Sequence, residues 1–337
     1  MQIHRLASGL VNDSFRVARA GRQYALRVTH PESGAHGLDQ GFNREWECNV
    51  LRCAAAAGLA PAIEHCDPAE GVLVSRWVSG RVWSPQEIQR PETIEAMGLL
   101  LRKVHALRIP QPARTMNPAA WIAQYAQALA GSGAWDGIGS GPCAVEWQAA
   151  EAPTALRNAA DANLALLAAS PAPAPVLCHS DLHRHNLIAM DPGAGARVLL
   201  LDWEYAHVSD PYWDVAGWAA NNELAQATAL LSSYLGRTAQ ADECARLSLF
   251  MWLYDYVCLL WSELYLAQRP GAAGAHETTE GRAHGVITGV AHAAAEGVAA
   301  NVAPGLAIGP PQNGAESVAK RAERLRARLL ASPSVLW

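Results

Sequence analysis

Charged residues are scarce in this 337-residue chain, at 17%, and acidic residues outnumber basic ones by 31 to 26. A net charge of −5 gives no general attraction for a phosphate backbone or an anionic membrane, so nucleic acid and lipid are disfavoured as main partners. The seven cysteines (Cys48, Cys53, Cys66, Cys143, Cys178, Cys244 and Cys258) include no C-x-x-C pair, and their odd number argues against a disulfide framework or a zinc cluster. They read as reduced thiols of a cytoplasmic protein, most of them in its core. No charged segment leads into an apolar run at the N-terminus, so no export signal is expected. Leu247–Leu266 is apolar for long enough to raise a membrane span, but Asp255 and Glu263 would be costly in lipid, and the stretch reads as a buried helix. The Gly-rich stretch Gly131–Gly141 carries neither a Walker Gly-Lys-Ser/Thr nor a GxGxxG fingerprint.

What is present is enough apolar material, 50% of residues, for a sizeable core at a length that suits two lobes. Residues 1–78 read as a small β-rich lobe. Strand-like runs at Ser14–Ala18, Tyr24–Val28 and Gly71–Val78 are punctuated by turns, and one helix, about Asn43–Ala57, closes at Gly58 and Pro61. A change of composition near 76–81 marks a hinge, and 79–267 reads as mostly helical. Ile94, Met97, Leu101 and Val104 recur at helical spacing within Pro91–Leu107, and further helices are expected at Tyr212–Ala220 and Asp242–Ala267. The Ala- and Gly-rich segment 268–315 has too few large side chains for a core and reads as an insert or linker. The terminal segment 316–337 carries a basic amphipathic helix, Glu316–Leu330, expected to be a solvated helix docked on the large lobe.

Two loops carry chemistry. The apolar run Val176–Cys178 leads into His179-Ser-Asp181-Leu-His-Arg-His-Asn186, and the run Arg197–Leu201 ends in Asp202-Trp-Glu204. These runs place Asp181, Asn186 and Asp202 at the ends of what should be adjacent strands. A carboxylate and an amide oxygen suit Mg²⁺, a second carboxylate accepts a proton from an attacking hydroxyl, and His179 is placed to bond the backbone and fix the loop. A lone Asp-x₄-Asn is commonly a capped turn, and the strand context with a second Asp argues against that here. His179, His183 and His185 invite comparison with a zinc cluster, but their spacing lies wholly within the His-x-Asp-x₄-Asn loop.

This pattern resembles the catalytic and metal loops of kinases, specifically the choline/ethanolamine kinase and aminoglycoside phosphotransferase superfamily, over roughly residues 5–267. Leu-Asp202-Trp-Glu204-Tyr-Ala, followed by Ser-Asp210-Pro-Tyr-Trp-Asp214-Val, is similar to the choline kinase and thiamine kinase branch, and Tyr254–Tyr265 to its late helix. The resemblance implies a two-lobed, protein-kinase-like α+β fold with a small antiparallel-sheet N-lobe and a larger, mostly helical C-lobe. It also implies ATP and Mg²⁺ as cofactors. Asp181 would be the catalytic base, Asn186 and Asp202 the metal ligands, and Asp214 the brace of the catalytic loop. Arg27 stands where protein kinases have their strand lysine, and its planar fork suits two phosphate oxygens. Glu47, at a Glu-x₃-Leu spacing, is its implied partner, with Glu45 as the fallback. The polar turn Ser8–Ser14, with Gly9, Asn12 and Ser14, would cover the phosphates, and adenine would lie near Ser75–Val78.

The acceptor implied is a small alcohol, cationic in character, with choline or ethanolamine first, thiamine second and an aminoglycoside third. Twelve Trp against three Phe is an unusual balance, and aromatic faces bind quaternary ammonium well. Glu204, Tyr205, Trp213, Trp252 and Tyr256 are the candidate acceptor contacts, although core packing explains any single one of these rings as well. Asp210, Asp255 and Glu263 are further candidate charge partners. A pseudokinase-like binding protein is the rival of another class. Protein-kinase activity is disfavoured, because no Ala-Pro-Glu segment follows Asp202 and Asp214 leaves little room for a peptide platform.

Overall fold

A computed structural model describes residues 1–8, 12–29, 42–131, 151–190, 197–267 and 314–331. Gly9, the Gly131–Gly141 stretch after its first residue and segment 268–313 lie outside the described residues. The strands are β1 (Gln2–Ser8), β2 (Asn12–Arg19), β3 (Arg22–Thr29), β4 (Ile63–Asp67), β5 (Val72–Arg76), β6 (Val176–Cys178), β7 (Leu187–Ala189), β8 (Val198–Leu200) and β9 (His207–Ser209). The helices are α1 (Arg44–Ala56), α2 (Pro85–Ile88), α3 (Pro91–His105), α4 (Pro118–Gly131), α5 (Glu151–Ala169), α6 (Tyr212–Asn221), α7 (Ala227–Leu235), α8 (Ala241–Ala267) and α9 (Gly314–Ala331). Two compact units result. One contains Met1–Ser84 and Arg184–Tyr205; the other contains Pro85–His183, Ala206–Arg269 and Asn313–Trp337.

The first unit is built on an antiparallel sheet of order β1-β2-β3-β5-β4. Ala20 and Gly21, both at positive φ, make the two-residue turn between β2 and β3, which keeps the strands in tight register from Arg19↔Arg22 to Asn12↔Thr29. Alternation then sorts the faces. Phe15, Val17, Leu26 and Val28 join Val72 and Val74 in a buried cluster, while Asn12, Ser14, Arg27 and Thr29 share the other face. Helix α1 begins at Asn43, whose side chain accepts from the Trp46 N–H at 2.9 Å, a cap worth about 1 kcal/mol. Its buried residues Trp46, Glu47, Val50, Leu51 and Ala54 fall at helical spacing, so one face holds both the apolar contacts and a carboxylate. The sequence gives no signal for β1, nor for β4, whose residues Ile-Glu-His-Cys-Asp have no apolar alternation.

Cys48 of α1 and Cys66 of β4 are joined by a disulfide with Cα atoms 6.3 Å apart, which corrects the expectation of thiols throughout. Spacing along the chain carries no information about this pair, because the contact is made by docking the helix beside the strand. A second correction concerns the motif strands. β6 pairs with β9 and β7 with β8, in separate two-stranded sheets, so the strands that lead into the two motif loops are not paired with each other.

The second unit is helical around α8, a 27-residue helix that runs about 40 Å. It is buried on nearly every side because α4, α5, α6 and α9 pack on it, which is why its sequence shows no apolar stripe. Among the described residues no helix is long and apolar enough to cross a membrane. Helix α9 docks on α8 through Val318, Ala322, Leu325 and Leu329. Its polar face is less solvated than expected for a docked amphipathic helix: Arg321, Arg326 and Arg328 bond to Asn221, Glu263 and Asp255.

Candidate active site

In the first unit the face of β3 that carries Arg27 meets α1 and the end of β8. Arg27 uses its fork in two directions: Nη1 donates to Asp202 Oδ1 at 2.7 Å and Nη2 to Glu47 Oε1 at 2.5 Å. Arg44, in the first turn of α1, bridges Glu47 Oε2 at 2.9 Å and Glu204 Oε2 at 3.0 Å, and its guanidinium lies over the Phe42 ring. Glu204 also accepts from Asn12 Nδ2 at 2.9 Å, while Asn12 Oδ1 accepts from the Thr29 hydroxyl. Glu47, not Glu45, is the helix carboxylate that reaches Arg27. Asn12 points to Glu204 and Thr29, and Ser14 stands cross-strand from Arg27.

Burial opposes ionisation of Glu47, but Arg27 and Arg44 outweigh it and hold its pKa down. Burial likewise works against the Arg27 charge, and Glu47, Asp202 and Glu204 outweigh it, so Arg27 stays cationic. Glu204 goes the other way. Burial and the neighbouring Asp202 carboxylate push it up to about 7 against the pull of Arg27 and Arg44.

The β7–β8 hairpin sets Asn186 beside the residue before Asp202, with the Leu201 N–H donating to the Asn186 carbonyl at 2.8 Å. Asp202 has φ +60°, a left-handed conformation costly for a residue with a Cβ, and its side chain stays 35% exposed. One oxygen each from Glu47, Asp202 and Glu204 lies within 4.8 Å of the others. Hard oxygen donors grouped in this way fit a magnesium ion, and the backbone bond between Asn186 and Leu201 keeps Asn186 in the same hairpin as Asp202.

The second unit holds the other loop. Asp214, in the first turn of α6, accepts from the His179 N–H at 2.8 Å and the Ser180 N–H at 2.7 Å, and pairs with His105 Nε2 at 3.1 Å. His105 Nδ1 in turn meets the Tyr234 hydroxyl at 3.0 Å, so the imidazole bridges Asp214 and Tyr234. Ser180 has φ +72°, and its hydroxyl bonds His207 Nδ1 at 3.0 Å. His179 is fully buried, and its Nδ1 accepts from the Asp181 N–H at 3.4 Å. Burial opposes ionisation of Asp214, but the His105 hydrogen bond and charge hold its pKa down. Asp181 lies 3.6 Å from His183 Nε2 and is 29% exposed. Burial raises its pKa, yet His183 first, then His179 and Arg321, bring it down to about 2, so its carboxylate is ionised at any working pH.

The candidate acceptor residues are divided between the two units. Glu204 belongs to the arginine cluster, and Tyr205 packs edge-on to Phe42 in the same unit. Trp213 leans on Tyr254 with ring centroids 5.0 Å apart, and Tyr254 feels the charge of Asp181. Trp252 stacks on Tyr256, which feels the charges of Arg157 and Asp161 of α5. Asp210, Asp255 and Glu263 are each paired with an arginine, namely Arg246, Arg328 and Arg326. Sequence reasoning missed Arg44, His105, Asn221 and Arg321. Arg44 alone had a local cue, three residues before Glu47 on a helix.

The sequence profile of the APH phosphotransferase enzyme family matches residues 2–250. No curated protein matches the chain. Among solved structures, the chain is similar to a choline/ethanolamine kinase family protein from Mesorhizobium loti, with 24% identity, 97% of this chain and 93% of that chain covered and a TM-score of 0.62. It is also similar to the choline kinase LicA from Streptococcus pneumoniae, with 20% identity, coverage of 87% and 94% and a TM-score of 0.61. A LicA complex with AMP is known. A microcompartment-associated aminopropanol kinase gives 16% identity, coverage of 99% and 94% and a TM-score of 0.61. At these identities the likeness establishes the protein-kinase-like fold.

Proposed function

Because the chain belongs to the APH phosphotransferase family, we propose that it transfers the γ-phosphoryl group of ATP to the hydroxyl of a small amino alcohol of the choline and ethanolamine class. It is a kinase-type enzyme; the acceptor and the role of each residue are the proposal. The observation that carries it is the Asp181 loop, in which a carboxylate kept ionised follows two backbone N–H groups pinned by Asp214.

In such a transfer the acceptor oxygen bonds to phosphorus as the bond to the bridging oxygen breaks, and ADP leaves. A carboxylate with a pKa near 2 is a weak base, so Asp181 orients the hydroxyl through its hydrogen bond and takes the proton late, as the new bond forms. Arg27, fixed by Glu47 and Asp202, supplies a positive charge for the phosphate oxygens, and Arg44 with Asn12 holds the carboxylates around it. Asn186 and Asp202 would hold Mg²⁺, which when bound neutralises the charge that spreads over the phosphate oxygens.

An ammonium-bearing acceptor is supported by the likeness to a choline kinase and an aminopropanol kinase; Trp213 and Tyr254 are buried against each other and belong to the core. The test is Mg²⁺-dependent ADP release from ATP with choline, ethanolamine, aminopropanol, thiamine and an aminoglycoside. Stimulation by the amino alcohols supports the proposal. Stimulation by thiamine or the aminoglycoside alone replaces the acceptor class, and ATP binding with no stimulation favours a regulatory binding protein.

A further inference from the structure

Helix α9 contributes more than packing. Its buried residues Val318, Ala322, Leu325 and Leu329 form the stripe that faces α8, and three arginines flank that stripe. Arg326 pairs with Glu263, and Arg328 donates to Asp255 Oδ1 at 2.5 Å; both contacts end on α8 itself. Arg321 does not end there. Its Nη2 donates at 2.8 Å to Oδ1 of Asn221, the last residue of α6.

The Asn221 amide is a three-way junction. Its Nδ2 donates to the Leu182 carbonyl at 3.0 Å and to the Tyr254 hydroxyl at 2.8 Å. A guanidinium only donates and a backbone carbonyl only accepts, so one orientation of the amide satisfies both neighbours. Turning it over would set Nδ2 against Arg321 and Oδ1 against the Leu182 oxygen. Arg321 therefore fixes which end of Asn221 faces the loop. The bond that results holds the residue next to Asp181.

We infer that Arg321 is a positioning residue for the catalytic loop, acting through Asn221 on Leu182 and so on the Asp181 carboxylate. The role in turnover rests on the kinase reading above; the structural coupling does not. Arg321 remains cationic because, although burial works against its charge, Cys258, Tyr254, Asp181 and Asp255 outweigh burial.

The test is amide hydrogen exchange on the full chain, in wild type, Arg321→Met, Arg321→Lys, Asn221→Leu, the double variant Arg321→Met/Asn221→Leu, and Arg326→Met as a docking control. Exchange in the peptide spanning Cys178–Arg184 is expected to rise about tenfold in Arg321→Met, to recover partly in Arg321→Lys, and to stay within about twofold of wild type in Arg326→Met. The double variant should exchange no faster than Asn221→Leu, since both act through one bond. A peptide covering Leu325–Leu329 reports whether α9 is still docked; if Arg321→Met releases it, Arg321→Lys and Asn221→Leu carry the comparison. With an acceptor in hand, kcat should fall about tenfold in Arg321→Met with KM for ATP unchanged. Unchanged loop exchange, an equal rise in Arg326→Met, or additive effects in the double variant would overturn the inference. Normal coupling in a protein that turns over no acceptor would instead count against the kinase reading.

Discussion

Replacing Arg27 with Met removes the guanidinium that lies between two carboxylates. In the wild type its side chain is 14% exposed, Glu47 is 3% exposed, and both arms of the fork are bonded, at 2.7 Å to Asp202 and 2.5 Å to Glu47. Breaking a buried pair by deleting one partner costs about 3–5 kcal/mol, because the remaining charge is left without compensation. Three features place this case at the low end. Arg44 still holds Glu47 and Glu204, Asp202 is exposed enough to regain water, and Glu204 is already close to accepting a proton. The expected loss is therefore about 3 kcal/mol. Arg27→Lys keeps the charge but cannot bond both carboxylates in one plane, and should lose about 1–2 kcal/mol. Urea unfolding followed by circular dichroism, taken on the transition that moves with the substitution, measures these differences at low salt and at 1 M salt. A buried pair is screened little, so the gap should persist at high salt. A loss below about 1 kcal/mol, or a gap that vanishes in salt, would show that the pair behaves as a surface contact and refute the reasoning.

Other consequences can be checked in the same way. Gly80→Ala would set a Cβ 2.4 Å from Ile188 Cγ2 and 2.6 Å from the Ala189 carbonyl, so it should cost about 1–3 kcal/mol and weaken the backbone pair between Arg81 and Ala189, seen as faster exchange of those amides. A variant as stable as wild type would contradict the close approach. The depressed pKa of Asp214 means that its contribution is full above the ordinary carboxylate range near 4 and is lost as pH falls through its lower folded value. The stability gap between wild type and Asp214→Asn should thus be present at neutral pH and shrink as pH falls below about 4. A gap that widens in acid would reverse the assigned sign.

The two motif loops were legible because each follows a short apolar strand and opens into a run of polar residues. Helix α3 was legible because its buried positions repeat at three to four residues, and α1 because an Ala- and Leu-rich run is closed by Gly58 and Pro61. What stayed hidden depends on contacts between distant segments. Arg27 and Asp202 are 175 residues apart, and Cys48 meets Cys66 only once α1 lies beside β4. The separate pairing of β6 with β9 and of β7 with β8 was equally hidden, since strands of three residues carry no partner information. His105 looked like one more residue at a helix end, and the arginines of α9 looked solvated. Their partners, Asp214, Asn221, Glu263 and Asp255, are supplied by helices α6 and α8 and not by neighbours in sequence.

The most direct test of the account compares wild type with Asp181→Asn in acceptor-dependent turnover of ATP, with the product identified as a phosphate ester by phosphorus NMR. Asparagine keeps the size of the side chain but cannot orient the hydroxyl as a carboxylate does or take its proton, so kcat should fall by about 10²–10⁴ while KM for ATP stays within about twofold. An Asp181→Asn enzyme that forms the ester at the wild-type rate would contradict it.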